Sequence, residues 1–314
     1  TGAHTAPLLA ALPFTLTPEQ RRVAGEIARD LRHERPMRRL LQGEVGSGKT
    51  VVAALAMCQA VEAGAQAALL VPTETLAEQH LRTLDALLEP AGLRPVLLTG
   101  SVPRAERDRR ELALRTGTAH GLVVVDEQHR FGVEQRQALA DRASGAEGEA
   151  AHLLYMTATP IPRTLALTAY GDLTVSTIRG RPPGREPVTT RWVREDERGD
   201  AYDALRAELR RGRQAYVICP LVEGEGAEGE ARSAVREAER LAAGPLAGFR
   251  VGLAHGAQRP DERRAAMAAF GAGDTDVLVA TTVVEVGIDV PNATVMVIED
   301  ADRFGLAQLH QLRG

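Results

Sequence analysis

Short apolar runs alternate with longer amphipathic stretches along the whole chain. The runs lie at residues 40–41, 67–71, 96–98, 122–125 and 153–156 in the first half, and at 215–218, 251–253, 277–279 and 295–298 in the second. Uninterrupted apolar runs are typical of strands that are buried on both faces, and strands that alternate with helices form parallel sheets. The pattern therefore predicts an α/β fold with two mostly parallel sheets, each flanked by helices.

Residues 179–187 interrupt this alternation with Pro, Gly and charged residues. We place the domain boundary in this segment, which predicts a first domain at residues 1–182 and a second at residues 183–314. The two halves are predicted to have the same architecture. Residues 223–231, which are rich in Gly, Ala and Glu, are predicted to form a surface loop.

The composition is that of a globular protein, with 44% hydrophobic and 25% charged residues. No apolar run approaches the roughly 20 residues of a membrane span, and the N-terminus lacks a signal-like stretch, so we expect a cytoplasmic protein. Cys58 and Cys219 lie in apolar surroundings without partners at metal spacing, which predicts buried thiols and no structural zinc. The net charge of −4 and only 3% aromatic residues predict that any nucleic-acid contact is local and made to the backbone.

One segment carries a complete phosphate-binding pattern. It consists of Gly43, Glu44, Val45, Gly46, Ser47, Gly48, Lys49 and Thr50, between a predicted strand and a predicted helix. In such a loop the backbone N–H groups surround the phosphates of ATP, the lysine reaches the β- and γ-phosphates and the Thr50 hydroxyl binds Mg²⁺. Lys49 is the only lysine among 38 basic residues, and a planar guanidinium is a poor substitute for its compact charge. The alternative interpretation is a glycine-rich turn.

A second candidate site follows the apolar run at residues 122–125. Asp126 and Glu127 come directly after this run, and ligands bind at the carboxyl ends of strands in parallel sheets. Asp126 is predicted to hold Mg²⁺ through its water shell, and Glu127 to polarise the attacking water. The alternative is an ordinary solvated strand end, which the P-loop upstream makes the weaker interpretation.

Longer segments around these residues resemble superfamily-two helicases and translocases. The matching segments are residues 71–80 (VPTETLAEQH), 126–133 (DEQHRFGV), 156–170 (MTATPIPRTLALTAY), 281–290 (TTVVEVGIDV) and 304–314 (FGLAQLHQLRG). Together they closely resemble the motor of the RecG family of bacterial branched-DNA helicases. The Mfd family of transcription-repair coupling translocases is similar too, but it typically carries Tyr in place of Ser47 and Glu in place of Gln128.

The resemblance implies two tandem RecA-like domains and a role for further residues. The residues that would contact the nucleotide, besides the P-loop, are Phe14, Gln20, Gly287 and Asp289. The residues that would contact DNA or couple hydrolysis to domain movement are Thr73, Glu74, Gln79, His129, Thr157, Thr159, Thr281, Thr282 and Gln311. The alternative for these side chains is local helix capping or core packing.

The function that the resemblance implies is an ATP-dependent helicase or translocase acting on branched double-stranded DNA. It would use ATP and Mg²⁺ in fork reversal, Holliday-junction branch migration, recombination and repair. It would work as a monomer at the cytoplasmic nucleoid, with single-stranded-DNA-binding protein as a partner at forks. The alternatives are an Mfd-like translocase and a nucleotide-binding module that does not hydrolyse ATP.

The sequence also departs from the family pattern. It stops inside the last helicase motif, before the arginines that act on the γ-phosphate, and it carries no N-terminal wedge domain. Only residues 115–120 separate the predicted helix at 103–114 from the strand before Asp126, where the family has another strand. These departures predict a piece of a longer enzyme whose own ATP turnover is weak.

Overall fold

The structure is a computed structural model, and it describes residues 2–33, 35–115, 121–126, 151–158, 173–179, 188–220, 226–281 and 290–313. The chain divides into two compact units, and the division falls between Arg185 and Glu186. The boundary proposed from the sequence falls in residues 180–187, which lie outside the described residues. Each unit is an α/β domain with its own parallel sheet.

The described part of the first unit contains a five-stranded sheet in the order β2-β3-β4-β1-β5, with every strand pair parallel. Its strands are β1 (Arg38–Gly43), β2 (Gln66–Leu70), β3 (Gly121–Val125), β4 (His152–Thr157) and β5 (Thr174–Ile178). Its helices are α1 (Thr5–Ala11), α2 (Pro18–Asp30), α3 (Lys49–Glu62), α4 (Glu74–Leu88) and α5 (Arg104–Arg115), with a 3₁₀ turn at Glu89–Ala91.

Helix α3 lies in the centre of the first core. Residues 51–58 are buried without interruption, and Leu41 of β1 belongs to the same cluster. A helix that is apolar on all sides is stable only when other elements cover it. The start of α3, where the P-loop ends, is therefore fixed by the packing of the whole unit.

Two predictions in the first unit were wrong or incomplete. Residues 96–98 do not form a strand, and the side chain of Val96 is exposed. Pro95 lacks the N–H that a ladder requires, and the carbonyl of Leu97 accepts a hydrogen bond from Arg110 instead of a neighbouring strand. Strand β5 was not predicted, because its sequence TVSTI has no continuous apolar run.

The described part of the second unit contains a four-stranded parallel sheet in the order β7-β8-β6-β9. Its strands are β6 (Gln214–Ile218), β7 (Val251–Ala254), β8 (Val277–Ala280) and β9 (Ala293–Ile298). Its helices are α6 (Arg198–Arg210), α7 (Gly226–Ala243), α8 (Pro260–Ala272) and α9 (Leu306–Arg313), with 3₁₀ turns at Glu195–Glu197 and Ala301–Arg303. The predicted two-sheet α/β fold is confirmed.

The loop predicted at residues 223–231 was partly wrong, because α7 begins at Gly226. Ala and Glu are good helix formers, and they outweigh the scattered glycines of this segment. Cys58 and Cys219 are buried free thiols, as predicted. Burial raises the pKa of the Cys58 thiol to about 11 and that of Cys219 to about 12. Among the described helices, none has the length and apolar character needed to cross a membrane.

A buried arginine fixes α2 to the sheet of the first unit. The Arg39 guanidinium, on β1, donates hydrogen bonds to Glu26 and Asp30 of α2 and to the hydroxyl of Ser176 on β5. The Ser176 hydroxyl in turn donates to Glu26. Partial burial raises the pKa of Glu26, but the Ser176 hydrogen bond and the charges of Arg22 and Arg39 outweigh it and hold that pKa below its ordinary value.

We expect Glu26→Gln to weaken the attachment of α2 in a pH-dependent way. The lowered pKa stabilises the folded state at pH 7, and this contribution is lost as the pH falls below the unfolded value of 4.5 and through the lower folded value. Hydrogen exchange of α2 and β5 peptides should show that the free energy of local opening at pH 7 is about 1 kcal/mol lower in Glu26→Gln than in wild type. The difference between the two proteins should be smaller at acidic pH. Glu111→Gln removes an exposed ion pair and should change little. A Glu26 effect that is equal at both pH values would contradict this account.

Candidate nucleotide and nucleic-acid site

The P-loop connects the carboxyl end of β1 to the first turn of α3. Gly46 has φ 74° and Gly48 has φ 85°, a left-handed conformation that side chains with a Cβ rarely adopt. Gly48 is the N-cap of α3, and the Ser47 N–H donates to the Glu44 carbonyl at 3.0 Å. The loop therefore curls tightly onto the positive end of a helix dipole, which suits it to bind an anion.

Lys49 folds over the loop that precedes it. Its Nζ donates to the carbonyl of Gly43 at 2.7 Å and to the carbonyl of Glu44 at 3.1 Å. The ammonium group therefore lies against the backbone of the loop. A polyphosphate in the loop would offer this group charged oxygens in place of two neutral carbonyls, which are weaker acceptors.

Gln20 supports the P-loop from α2. Its Nε2 donates to the carbonyl of Ser47 at 2.9 Å, and its Oε1 accepts the N–H of Thr17 at 2.8 Å, so both ends of its amide group are bonded within the chain. The Ser47 hydroxyl is buried and has no hydrogen-bond partner among the described residues. The sequence predicted an adenine contact for Gln20, which stays a prediction. The support of the loop was not predicted, because it joins residues far apart in the chain.

Phe14 lies just before α2, and its side chain is half exposed. It lines an open surface pocket of about 400 Å³. The pocket is formed by Leu9, Leu12, Pro13, Phe14, Thr15, Leu16 and Arg21. An exposed aromatic ring beside such a pocket is compatible with the predicted adenine contact, because aromatic faces stack on bases.

Asp126 and the P-loop lie at the same edge of the sheet, and one strand separates the two strands that precede them. Asp126 follows β3, and its N–H donates to the carbonyl of Leu70 at 3.0 Å. Strand β4, which ends at the buried residue Thr157, lies between β3 and β1. The Nε2 atom of His80, on α4, lies 3.0 Å from Oδ2 of Asp126. The sequence did not predict this contact.

Two of the residues predicted to contact DNA at the start of α4 form hydrogen bonds within the chain. Thr73 is the N-cap of α4, and its hydroxyl accepts the N–H of Leu76 at 3.3 Å. Glu74 accepts the N–H of Ser101 at 2.9 Å, which fixes the turn at residues 99–101 beside the start of α4. The Oε1 atom of Gln79 is buried and has no partner among the described residues. The roles proposed for these residues on DNA stay predictions.

In the second unit, Thr281 follows β8 and is fully buried. Its hydroxyl has no partner among the described residues. Several predicted residues lie outside the described residues: Glu127, His129, Thr159, Thr282, Gly287 and Asp289. Gln311 lies on α9, and only its backbone is described.

Comparison with known proteins identifies the class. The DEAD/DEAH box helicase model matches residues 17–120, and the helicase conserved C-terminal domain model matches residues 200–314. The two parallel sheets and the P-loop fit the predicted fold of two RecA-like domains.

The chain is similar to ATP-dependent DNA helicases named RecG. It is 49% identical to RecG of Synechocystis over 96% of this chain, and 50% identical to RecG of Acidithiobacillus ferridurans over 98%. The solved structure of RecG bound to a three-way DNA junction has a TM-score of 0.75 and 42% identity over 98% of this chain. The chain matches the motor portion of these RecG proteins. It spans only 38% and 46% of the two curated relatives and 42% of the solved chain.

The helicase MrfA bound to DNA and AMPPNP has a similar fold, with a TM-score of 0.72 and 17% identity over 99% of this chain and 48% of its own. This likeness concerns the fold alone.

Proposed function

We propose that the chain is the ATP-driven motor of a helicase that acts on branched double-stranded DNA, in fork reversal, branch migration, recombination and repair. The observation that carries the proposal is the P-loop, in which left-handed glycines, the start of α3 and Lys49 converge at one sheet edge. The similarity to RecG proteins supports the DNA substrate, because one of these was solved on a three-way junction.

The residues at this sheet edge fit ATP with Mg²⁺. A Cβ on Gly43 would lie 2.5 Å from the Ser47 hydroxyl, which is itself buried without a partner among the described residues, so this position of the loop requires glycine. The backbone N–H groups of the loop would bind phosphate oxygens, and Lys49 would neutralise charge on the β- and γ-phosphates. The Thr50 hydroxyl and Asp126 would hold Mg²⁺, which when bound stabilises charge on the transferred phosphoryl group.

Hydrolysis also needs a group that orients the attacking water. Glu127, directly after Asp126, is proposed for this role. Phe14 and Gln20 on one unit, and Gly287 and Asp289 on the other, are proposed as further nucleotide contacts.

The DNA backbone is proposed to bind at threonines and at the start of α4. Short hydroxyl and amide groups can bond phosphate oxygens without reading bases. The proposed contact and coupling residues are Thr73, Glu74, Gln79, His129, Thr157, Thr159, Thr281, Thr282 and Gln311. Closure of the two domains on ATP and their opening after hydrolysis would move the motor along the strand.

The proposed substrate also sets the partners and the place of action. Branched chromosomal DNA is found at replication forks in the bacterial nucleoid, where single-stranded-DNA-binding protein is the proposed partner. Both helicase domain families match within this one chain, which supports action as a monomer.

The test is ATP turnover by the natural protein that carries this sequence, with linear, forked and four-way DNA at equal nucleotide concentration. We expect turnover to rise more with forked and four-way DNA than with linear duplex. Equal stimulation by all three would argue against a branched substrate. ATP turnover that no DNA stimulates would argue against a DNA motor.

A further inference from the structure

A histidine takes a place on the apolar face of α4. Residues 76, 80, 84 and 88 lie on one face because they are spaced four apart. Leu76, Leu84 and Leu88 are buried there, and the side chain of His80 is only 13% exposed. A leucine at position 80 would continue this row of leucines without the free-energy cost of burying a polar group. A buried polar ring is stable only with a hydrogen-bond partner.

The partner of His80 is the acid that we assign to Mg²⁺. The distance from His80 Nε2 to Asp126 Oδ2 is 3.0 Å, and the Asp126 side chain is only 11% exposed. An ionised carboxylate only accepts hydrogen bonds, so Nε2–H donates to it. The backbone of Asp126 is held as well, because its N–H donates to the carbonyl of Leu70 at the end of β2. The segment from β2 to α4 therefore holds both the backbone and the side chain of this acid.

We propose that His80 is a positioning residue that fixes the Asp126 carboxylate for Mg²⁺ and makes its orientation depend on α4. The inference rests on the proposed function. Groups that hydrogen-bond to a metal ligand orient it, and their loss typically lowers metal affinity by about 10- to 100-fold. Because α4 begins at Thr73 and Glu74, the proposed DNA contacts and the acid are joined by one rigid helix.

Two substitutions separate positioning from packing. His80→Leu extends the leucine stripe and keeps the fold, but it removes the contact with Asp126. His80→Gln places a donor nitrogen close to the position of Nε2 and should restore the contact. His33→Leu is the matched control, because His33 is an exposed histidine of the same unit.

The readout is the affinity of each variant for a fluorescent ADP, measured with Mg²⁺ and with EDTA. We expect the gain in affinity from Mg²⁺ to fall about 10- to 100-fold in His80→Leu, to stay within a few-fold of wild type in His80→Gln, and to be unchanged in His33→Leu. The affinity in EDTA should be the same for all, and thermal unfolding should confirm that each is folded.

Three outcomes overturn the inference. In the first, His80→Leu keeps the full gain from Mg²⁺. In the second, it loses affinity equally with and without Mg²⁺, which would show a structural role only. In the third, Lys49→Ala binds ADP as wild type does. The third outcome removes the proposed nucleotide site itself, whereas the first two leave it in place.

Discussion

Lys49→Ala is expected to reduce ATP affinity by about 10- to 100-fold, since a hydrogen bond to a charged group contributes about 1.5–3 kcal/mol. ATP turnover by the natural protein should fall by at least about 100-fold, because the lost charge faces the group on which charge develops. The fold should be unchanged, because the hydrogen bonds from Nζ to the carbonyls of Gly43 and Glu44 join neighbouring residues of one loop rather than separate elements. Titration with a fluorescent ATP analogue, followed by steady-state turnover, measures both effects.

Lys49→Arg should fail to restore turnover. The ammonium fits 2.7 Å and 3.1 Å from two adjacent loop carbonyls, and a planar guanidinium is larger and spreads its donors in a fork. Arg32→Ala, which removes an exposed positive charge from the same unit, is the control and should leave both quantities unchanged. Near-normal turnover in the arginine variant would refute our explanation of the single lysine.

Gly48→Ala is expected to weaken nucleotide binding by about fivefold, since displacing one hydrogen bond in the loop costs about 1 kcal/mol. A Cβ at Gly48 would lie 2.3 Å from Nε2 of Gln20, so Gln20 would have to leave the Ser47 carbonyl. The residue also has φ 85°, which costs a side chain about 1–2 kcal/mol in any surroundings.

The matched control is Gly64→Ala. Gly64 has φ 79°, and a Cβ there would meet nothing within 4 Å. Both variants carry a similar backbone cost, but only Gly48 lies in the P-loop and beside Gln20. Thermal unfolding and ATP-analogue titration of the pair should show a similar loss of stability from the backbone and a loss of affinity in Gly48→Ala alone. Equal affinities would show that Gln20 does not support the loop.

The sequence predicts the fold well where apolar runs are continuous. Strands β1, β3 and β8 are buried on both faces, and their runs are visible without a structure. Strand β5 was missed because Ser176 occupies a buried position, where it bonds to Arg39 and Glu26 instead of apolar neighbours. A polar residue in a core strand has no periodic signature until its partners are known.

The candidate site is predicted from local motifs, and its supports are not. The P-loop is one continuous segment, so its glycines and Lys49 can be identified directly. Gln20 and His80 reach the site from helices α2 and α4, and their partners Ser47 and Asp126 are distant in the sequence. His80 shares the spacing of a leucine stripe, which could have marked it as a polar residue on a buried face.

The most direct test of the account is the ratio of ATP turnover with a four-way junction to turnover with linear duplex, in the natural protein that carries this sequence. We expect a ratio well above one, and no turnover above background in Lys49→Ala with either DNA. A ratio of one, or turnover that survives the loss of Lys49, would contradict the claim that this P-loop drives a branched-DNA motor.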